Sequence, residues 1–183
     1  MHVSLDGFVA DSNEKIDWIS VDKEMFEDVN SLVKKADTAI YGRGTFQIMD
    51  SYWPTAADHP KATKHDKDHS RWYKSAKKIV FSKTLNKSAL ENTTFIKNII
   101  KEDITKLKNQ AGKDIVMFAS PGLASQFMNL NLIDEFWFNI NPAVLGSGKP
   151  LFKDIKKKHN LSLISTKKYK SGVVLVRYKV KSS

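Results

Sequence analysis

The amino-acid sequence predicts an α/β fold with a mainly parallel sheet, and three observations support that class. Strand-like and helix-like patterns alternate between residues 24 and 130, whereas the patterns after residue 135 are those of strands only. The 183 residues, 41% of them hydrophobic and 27% charged, fit one globular domain over residues 1–183. Alternating strands and helices favour parallel pairing, and the final strands favour an antiparallel strand at one end of the sheet.

The first predicted elements are a short strand over residues 3–9, a helix over 24–36 and a buried strand over 38–41. Apolar side chains recur at helical spacing within residues 24–36. Asp22 is placed to cap this helix, because a carboxylate accepts the free amide protons of a first helical turn. The strand ends at Gly42, where a second helix begins.

Residues 55–70 are dense in lysine, histidine and aspartate. We interpret them as a surface excursion that leads into a helix near Trp72. The histidines and aspartates follow no spacing typical of a metal site, so we predict no metal.

The remaining elements continue the alternation and then end in strands. Pro142 interrupts a strand-like run over residues 135–145, because proline cannot donate a ladder hydrogen bond. Ser171 and Gly172 predict a hairpin turn between the last two strands. The other elements are strands over 78–81, 92–96, 114–118, 161–169 and 173–180, and helices over 102–109 and 123–130.

Composition and charge exclude several classes of protein. The chain has no cysteine, which excludes a disulfide framework and thiolate metal sites. No apolar run reaches the roughly 18 residues that a membrane span needs. The first residues carry neither a basic leader nor an apolar signal core, so we expect a cytoplasmic protein without a membrane partner.

The formal charge of +10 favours anionic partners, which are nucleic acids or phosphorylated small molecules. The lysines occur in short clusters between apolar segments, which is typical of solvated surface charge. We therefore do not expect nucleic acid as a partner. A nucleic-acid-binding domain stays open as an alternative that only the net charge supports.

Three predicted strand ends carry residues that could bind phosphate groups, since ligands of open α/β sheets bind at the carboxyl ends of strands. Gly42 opens a helix whose first residues include Arg43 and Thr45, a fixed positive charge and a hydroxyl donor. Ser82 and Lys83 follow the next strand and could hold a terminal phosphate. Ordinary polar loops with solvated side chains would give the same patterns.

The third strand end, residues 119–122, has small residues that could cradle a pyrophosphate, although Pro121 offers no amide proton. The sequence contains neither a Walker-type loop nor a Gly-x-Gly-x-x-Gly fingerprint. Ser120 lies in no nucleophile elbow. The pattern therefore favours ligand binding over nucleophilic catalysis.

Several motifs taken together resemble dihydrofolate-reductase-like proteins. The resemblance covers nearly the whole chain and is nearest to the reductase domain of bacterial riboflavin biosynthesis. Its motifs are VSLDGFVA at residues 3–10, IDW at 16–18, ADTAIYGRGTF at 36–46, IVFSKTL at 79–85, GKDI at 112–115, LIDEF at 132–136 and NPAVLGSGKPLF at 141–152.

The resemblance implies a three-layer α/β/α sandwich around a mixed, mainly parallel central sheet of about eight strands, with an antiparallel C-terminal strand. It also implies NADPH bound across the carboxyl edge of that sheet. Arg43 and Thr45, beside Gly42, would contact the cofactor phosphates. Ser82 and Lys83 would contact the 2′-phosphate.

Further site residues follow from the same resemblance. Those along the pyrophosphate would be Ala119, Ser120, Pro121 and Gly122. The predicted catalytic residues are Asp6 and Asp22, and the predicted substrate-binding residues are Gly7, Trp18 and Phe26. Many relatives have two glycines where this chain has Ala119 and Ser120, so a strained or cis peptide there would cost roughly 1–3 kcal/mol or more.

The resemblance thus implies an NADPH-dependent reductase that acts on a small heterocycle, either pterin-like or a phosphoribosylamino-pyrimidine as in riboflavin biosynthesis. Hydride transfer requires positioning more than a nucleophile, which agrees with the motifs found. The alternative is a non-catalytic ligand-binding or regulatory protein on the same scaffold. Relatives often pair through the carboxyl-terminal strands, so we also expect a homodimer.

Overall fold

The computed structural model describes residues 1–181, which form ten strands and five helices. The elements are β1 His2–Ser4, β2 Phe8–Ala10, α1 Lys23–Lys34, β3 Ala36–Gly42, α2 Arg43–Ala56, α3 Lys64–Ser75, β4 Lys77–Phe81, β5 Thr93–Ile96, α4 Lys101–Lys108, β6 Asp114–Met117, α5 Pro121–Asn129, β7 Glu135–Asn141, β8 Lys149–Pro150, β9 Leu161–Lys168 and β10 Val174–Val180. The predicted α/β class is confirmed. Contacts group the chain into two compact units, Phe26–Ser120 and a second one made of Met1–Met25 with the chain from Pro121 onward. The single domain over residues 1–183 stays a prediction.

The unit Phe26–Ser120 contains a parallel four-stranded sheet in the order β5-β4-β3-β6. Strand β3 lies between two neighbours, and Ala39, Ile40 and Tyr41 are all buried. A continuous apolar run of this kind is typical of a parallel strand that is covered on both faces. Phe46 of α2 and Tyr73 of α3 pack in the same core.

Helix α3 corrects one expectation. The structure starts this helix at Lys64, well before Trp72, with a capping box formed by Thr63 and Asp66. His69 and Ser70 are 2% and 0% exposed, so the interpretation of residues 55–70 as a surface excursion was wrong there. The polar composition of these residues predicted a loop, although they form a helix with one buried face.

The second unit contains a four-stranded sheet in the order β1-β7-β10-β9. Strand β1 runs parallel to β7, whereas β10 is antiparallel to both of its neighbours, which confirms the antiparallel C-terminal strand. Strand β7 ends at Asn141, directly before Pro142. Helix α5 begins at Pro121, because proline suits a first helical position whose amide has no partner.

Strands β2 and β8 form a separate antiparallel pair, so the hydrogen-bonded ladders make three sheets of four, two and four strands. A central sheet of about eight strands stays a prediction. Gly148, just before β8, has a φ of +147°, and a Cβ atom there would lie 2.2 Å from the carbonyl oxygen of Ala10. Only glycine fits this close approach of two backbones. Within residues 1–181, no helix is long and apolar enough to cross a membrane.

Candidate functional site

The turn between β3 and α2 leaves the start of a 14-residue helix open to a ligand. Gly42 is the N-cap and makes no side-chain capping hydrogen bond. A Cβ atom built on Gly44 would meet nothing within 4 Å. Because the first amides of a helix have no intrahelical partner and lie at its positive end, this turn can receive an anion.

Arg43 and the loop after β4 supply positive charge and a hydroxyl beside that turn. Arg43, Lys83 and Thr84 are exposed. Nη1 of Arg43 donates a hydrogen bond of 3.4 Å to Oγ1 of Thr84. Strands β3 and β4 are neighbours, with Gly42 paired to Phe81, so these residues follow adjacent strand ends. Thr84 lies inside the motif IVFSKTL but was not among the predicted site residues.

The side chain of Ser82 stabilises the same loop. It is buried, and its Oγ accepts hydrogen bonds from the amides of Thr84 at 3.2 Å and Leu85 at 2.8 Å. These bonds shape the turn that exposes Lys83 and Thr84. The contact of Ser82 with a 2′-phosphate stays a prediction.

The turn after β6 has a strained backbone at two residues that are not glycine. Ala119 and Ser120 have φ angles of +44° and +56°, a left-handed conformation that non-glycine residues rarely adopt, and residues 1–181 contain no cis peptide bond. Oγ of Ser120 accepts a hydrogen bond from the amide of Gly42 at 3.0 Å and donates one to the carbonyl of Phe118 at 3.1 Å. The amide of Ser120 donates to Oγ1 of Thr45 at 3.1 Å. Ser120 therefore ties together the ends of the neighbouring strands β3 and β6.

The structure thus brings seven predicted cofactor residues to the carboxyl ends of three adjacent strands. The seven are Gly42, Arg43, Thr45, Ser82, Lys83, Ala119 and Ser120. Pro121 and Gly122, which follow in the sequence, are the first two residues of α5. The arrangement combines exposed cations, free helix amides and hydroxyls, which are the groups that bind phosphate.

Asp6, a predicted catalytic residue, holds a loop of the second unit. Its carboxylate accepts hydrogen bonds from Oγ of Ser4 at 2.7 Å, from the amide of Gly146 at 2.7 Å and from the amide of Leu145 at 3.1 Å. The Ser4 hydroxyl first, and then these amides, hold the pKa of Asp6 below its usual range. The amide of the neighbouring Gly7, whose φ is +90°, donates to the carbonyl of Ser4.

Asp22 caps α1, as the sequence predicted. Its carboxylate accepts hydrogen bonds from the amide of Met25 at 3.0 Å and the amide of Ser171 at 3.2 Å. The Met25 amide is the largest cause that lowers the pKa of Asp22. Trp18 lies in the preceding loop and donates from Nε1 to the carbonyl of Lys15 at 3.3 Å. The catalytic role of Asp22 and the substrate contact of Trp18 stay predictions.

Phe26, the remaining predicted substrate residue, belongs to the unit Phe26–Ser120. Its ring is stacked on that of His65 with a centroid distance of 4.5 Å. His65 and the buried His69 lie within the predicted surface excursion and were not predicted as site residues. The signal that could have found them is their spacing of four residues, which puts both on one face of a helix.

Comparison with known proteins identifies the relatives of this chain. The model of the RibD C-terminal domain matches residues 1–175. The uncharacterized protein YyaP of Bacillus subtilis (strain 168) is 39% identical over 178 residues, which cover 96% of this chain and 90% of YyaP.

Solved structures share the fold at low sequence identity. A protein from Shewanella sp. PV-4, whose name assigns it provisionally to riboflavin biosynthesis, is 21% identical with a TM-score of 0.73, covering 100% of this chain and 97% of its own. A diaminohydroxyphosphoribosylaminopyrimidine deaminase/5-amino-6-(5-phosphoribosylamino)uracil reductase from Thermotoga maritima is 13% identical with a TM-score of 0.66. That alignment covers 98% of this chain and 55% of the other.

Proposed function

This chain belongs to the RibD C-terminal domain family, and we propose that it is a reductase that transfers a hydride from NADPH to a small heterocycle. The observation that carries the proposal is the uncapped start of α2 at Gly42 with the exposed Arg43 beside it. Lys83 and Thr84 extend this phosphate-binding surface along the next strand end. The reductase named for the Thermotoga maritima structure supports the reaction class.

The residues present fit a phosphorylated dinucleotide. The amides of Gly44 and Thr45 would face one phosphate, and Arg43 would bind a phosphate through the two parallel hydrogen bonds that its planar group allows. Lys83 and Thr84 would hold the 2′-phosphate that distinguishes NADPH from NADH. Ser82 and Ser120 would support these groups through the backbone, since their hydroxyls already serve internal hydrogen bonds.

Bound NADPH would supply the hydride, and the residues of this chain would bind, orient and exclude water. Asp6 and Asp22 are ionised at neutral pH, because hydrogen-bond donors hold the pKa of each below its usual range. An ionised carboxylate cannot donate a proton. We therefore propose that Asp6 contributes by positioning the loop at Leu145 and Gly146, and that Asp22 contributes by fixing the start of α1.

Calorimetric titration with NADPH, and separately with NADH, tests the cofactor site. We expect tight binding of NADPH, much weaker binding of NADH, and loss of this preference in Lys83→Ala. The matched control is Lys87→Ala, a lysine four residues further along the chain, which should keep the preference. Absence of binding of either dinucleotide to the wild-type protein would overturn the proposal.

A second experiment separates a reductase from a non-catalytic ligand-binding or regulatory protein on the same scaffold. Oxidation of NADPH is followed with a panel of pteridines and pyrimidines, with and without a phosphoribosyl group. Turnover with one ring class identifies the substrate, whereas tight NADPH binding without turnover on the panel favours the non-catalytic alternative. The homodimer also belongs to this proposal, and light scattering after gel filtration tests it.

A further inference from the structure

A cleft of about 310 Å³ lies at the amino ends of the parallel strands in the unit Phe26–Ser120. The predicted cofactor turn follows Gly42 at the carboxyl end of β3, whereas the cleft contacts the first residue of this strand, roughly 20 Å away along an extended chain. The two places are therefore separate. We name this space the amino-edge cleft, and its lining includes Val33, Lys34, Ala36, Asp37, Trp72 and Lys113.

One part of the amino-edge cleft is apolar and includes an indole ring. Val33 and Ala36 are buried, and Trp72 of α3 is partly buried. Nε1 of Trp72 donates a hydrogen bond of 2.8 Å to the carbonyl of Ala36. This bond fixes the indole in place, so the apolar surface is already formed and suits a flat ring.

Two exposed lysines add positive charge to the amino-edge cleft. Within residues 1–181, Nζ of Lys34 makes no hydrogen bond and no ion pair. Nζ of Lys113 donates one hydrogen bond of 3.2 Å to the carbonyl of Lys34, where it neutralises the negative end of α1. An ammonium group has three donors, so Lys113 keeps capacity for a ligand. The pair therefore favours an anionic group.

Neighbouring elements increase this positive charge. Helices α1 and α3 end, and strands β3, β4 and β6 begin, at the same edge of the sheet, since Thr38 pairs with Lys77 and the three strands are parallel. Residues 34–37, 74–77 and 113–114 contain five exposed lysines and two carboxylates. A cleft with an excess of one sign of charge concentrates ligands of the opposite sign. The five are Lys34, Lys35, Lys74, Lys77 and Lys113.

Asp37 gives the amino-edge cleft a hydrogen-bond acceptor. Its Oδ1 accepts a hydrogen bond from Oγ1 of Thr38 and its Oδ2 accepts one from the amide of Lys113, both at 2.9 Å. The Lys113 amide first, and then the Thr38 hydroxyl, hold the pKa of Asp37 below its usual range, so the carboxylate is ionised at neutral pH. Each oxygen keeps a second lone pair, which suits a sugar hydroxyl as donor.

We propose that the amino-edge cleft is a second ligand site and that it binds a nucleoside monophosphate. The phosphate would lie at Lys34 and Lys113, a sugar hydroxyl would donate to Asp37, and the base would pack against Trp72. The volume is at the lower end of the roughly 300–1,000 Å³ of small-molecule pockets, which suits a mononucleotide better than a dinucleotide. The proposal does not rest on the reductase function.

The test compares two probes, AMP and adenosine, which differ only in the phosphate. Binding is measured by calorimetry. We expect the wild-type protein to prefer AMP at least tenfold, the value of one hydrogen bond to a charged group. Lys34→Ala and Lys113→Ala should each reduce this preference about tenfold. The matched control is Lys64→Ala, an exposed lysine at the opposite end of α3, which should keep the preference.

Arg43→Ala separates the amino-edge cleft from the predicted cofactor turn, because AMP resembles one half of NADPH. The preference for AMP should persist in Arg43→Ala, and its loss there would overturn the proposal. Equal or absent binding of both probes by the wild-type protein also overturns it, without any variant whose folding must be checked. So does an unchanged preference in folded Lys34→Ala and Lys113→Ala. Failure of the NADPH titration refutes the reductase, and the two probes still decide on the cleft.

Discussion

The strand ends of the unit Phe26–Ser120 and the loop fixed by Asp6 in the second unit use charged side chains in opposite ways. Arg43 and Lys83 are exposed, and within residues 1–181 the side chain of Arg43 makes one hydrogen bond, a long one of 3.4 Å to Thr84. The carboxylate of Asp6 is also exposed, but three neighbouring groups donate hydrogen bonds to it. Arg43, Lys83 and Asp6 all lie in short motifs that predicted a functional site.

The difference indicates which charged residues are available to bind a ligand. A charge that already accepts hydrogen bonds from its own loop holds that loop, and a ligand that needs the same atoms would have to displace those bonds. A charge with free capacity can exchange water for a ligand at little cost. By this criterion we expect Arg43 and Lys83 to bind a ligand, and Asp6 and Asp22 to position their own loops.

The largest effect that we predict is a loss of stability in the second unit, which contains Asp6. Gly148→Ala should lower the free energy of unfolding by about 3 kcal/mol or more, because its Cβ would overlap the carbonyl oxygen of Ala10 and its φ disfavours a side chain. Urea unfolding measures the change. Gly44→Ala is the matched control, since a Cβ there meets nothing within 4 Å, and it should not destabilise. A Gly148→Ala protein as stable as the wild type would show that the two backbones are further apart.

The next effect is a loss of NADPH affinity when an exposed charge of the unit Phe26–Ser120 is removed. Arg43→Ala should weaken NADPH binding by roughly 10- to 100-fold, the usual value of a hydrogen bond to a charged group, without changing the melting temperature. Asp6→Asn should leave the affinity within about threefold, a fraction of one such bond. Calorimetry measures both. Arg71→Ala, which removes an exposed arginine paired with Asp68, is the control for net charge. Equal losses in Arg43→Ala and Asp6→Asn would remove the distinction.

A smaller effect concerns the strained turn after β6. Ala119→Gly should raise the free energy of unfolding by about 1 kcal/mol, because glycine adopts the φ of +44° without steric cost. Ala57→Gly should have the opposite sign, since Ala57 has an ordinary helical φ of −67°. Chemical unfolding of the two variants side by side measures the difference. Destabilisation by both would indicate that Ala119 is not strained.

The smallest effect is the pH dependence of the Asp6 contribution. The folded state lowers the pKa of Asp6 from its usual 3.8, so its stabilisation is present above that value and is lost as the pH falls through the folded pKa. Asp6→Asn should therefore melt lower than the wild type at pH 7, and the two melting temperatures should converge below pH 3.8. Because the carboxylate is exposed, solvent keeps the difference small. A gap that does not change with pH would point to lost packing.

Much of the fold was predictable because it depends on local patterns. The buried run at Ala39, Ile40 and Tyr41 identified a parallel strand, and Gly42 identified its end. Asp22 was correctly predicted as a cap, since a capping residue lies within three residues of the amide that it binds. The early start of α3 was missed, because composition outweighed the capping signal at Thr63 and Asp66.

The candidate site was predictable only in part. The strand-end positions followed from the motif, but the internal use of the Ser120 hydroxyl depends on β3 and β6 being neighbours. Neighbouring strands that are far apart in the sequence cannot be read from local spacing. The same reason hid His65, since its partner Asn30 lies 35 residues earlier in the chain.

The pairing of β1 with β7 has a consequence for how the chain is synthesised. His2 pairs with Asn139, so the first strand has no partner until most of the chain has left the ribosome. The unit Phe26–Ser120 is continuous and can close earlier, because all of its strands are already present. For that interval β1 is an unpaired strand that chaperones and proteases can reach. The yield of folded protein in a cell would then depend on how soon residues 135–141 are synthesised after β1.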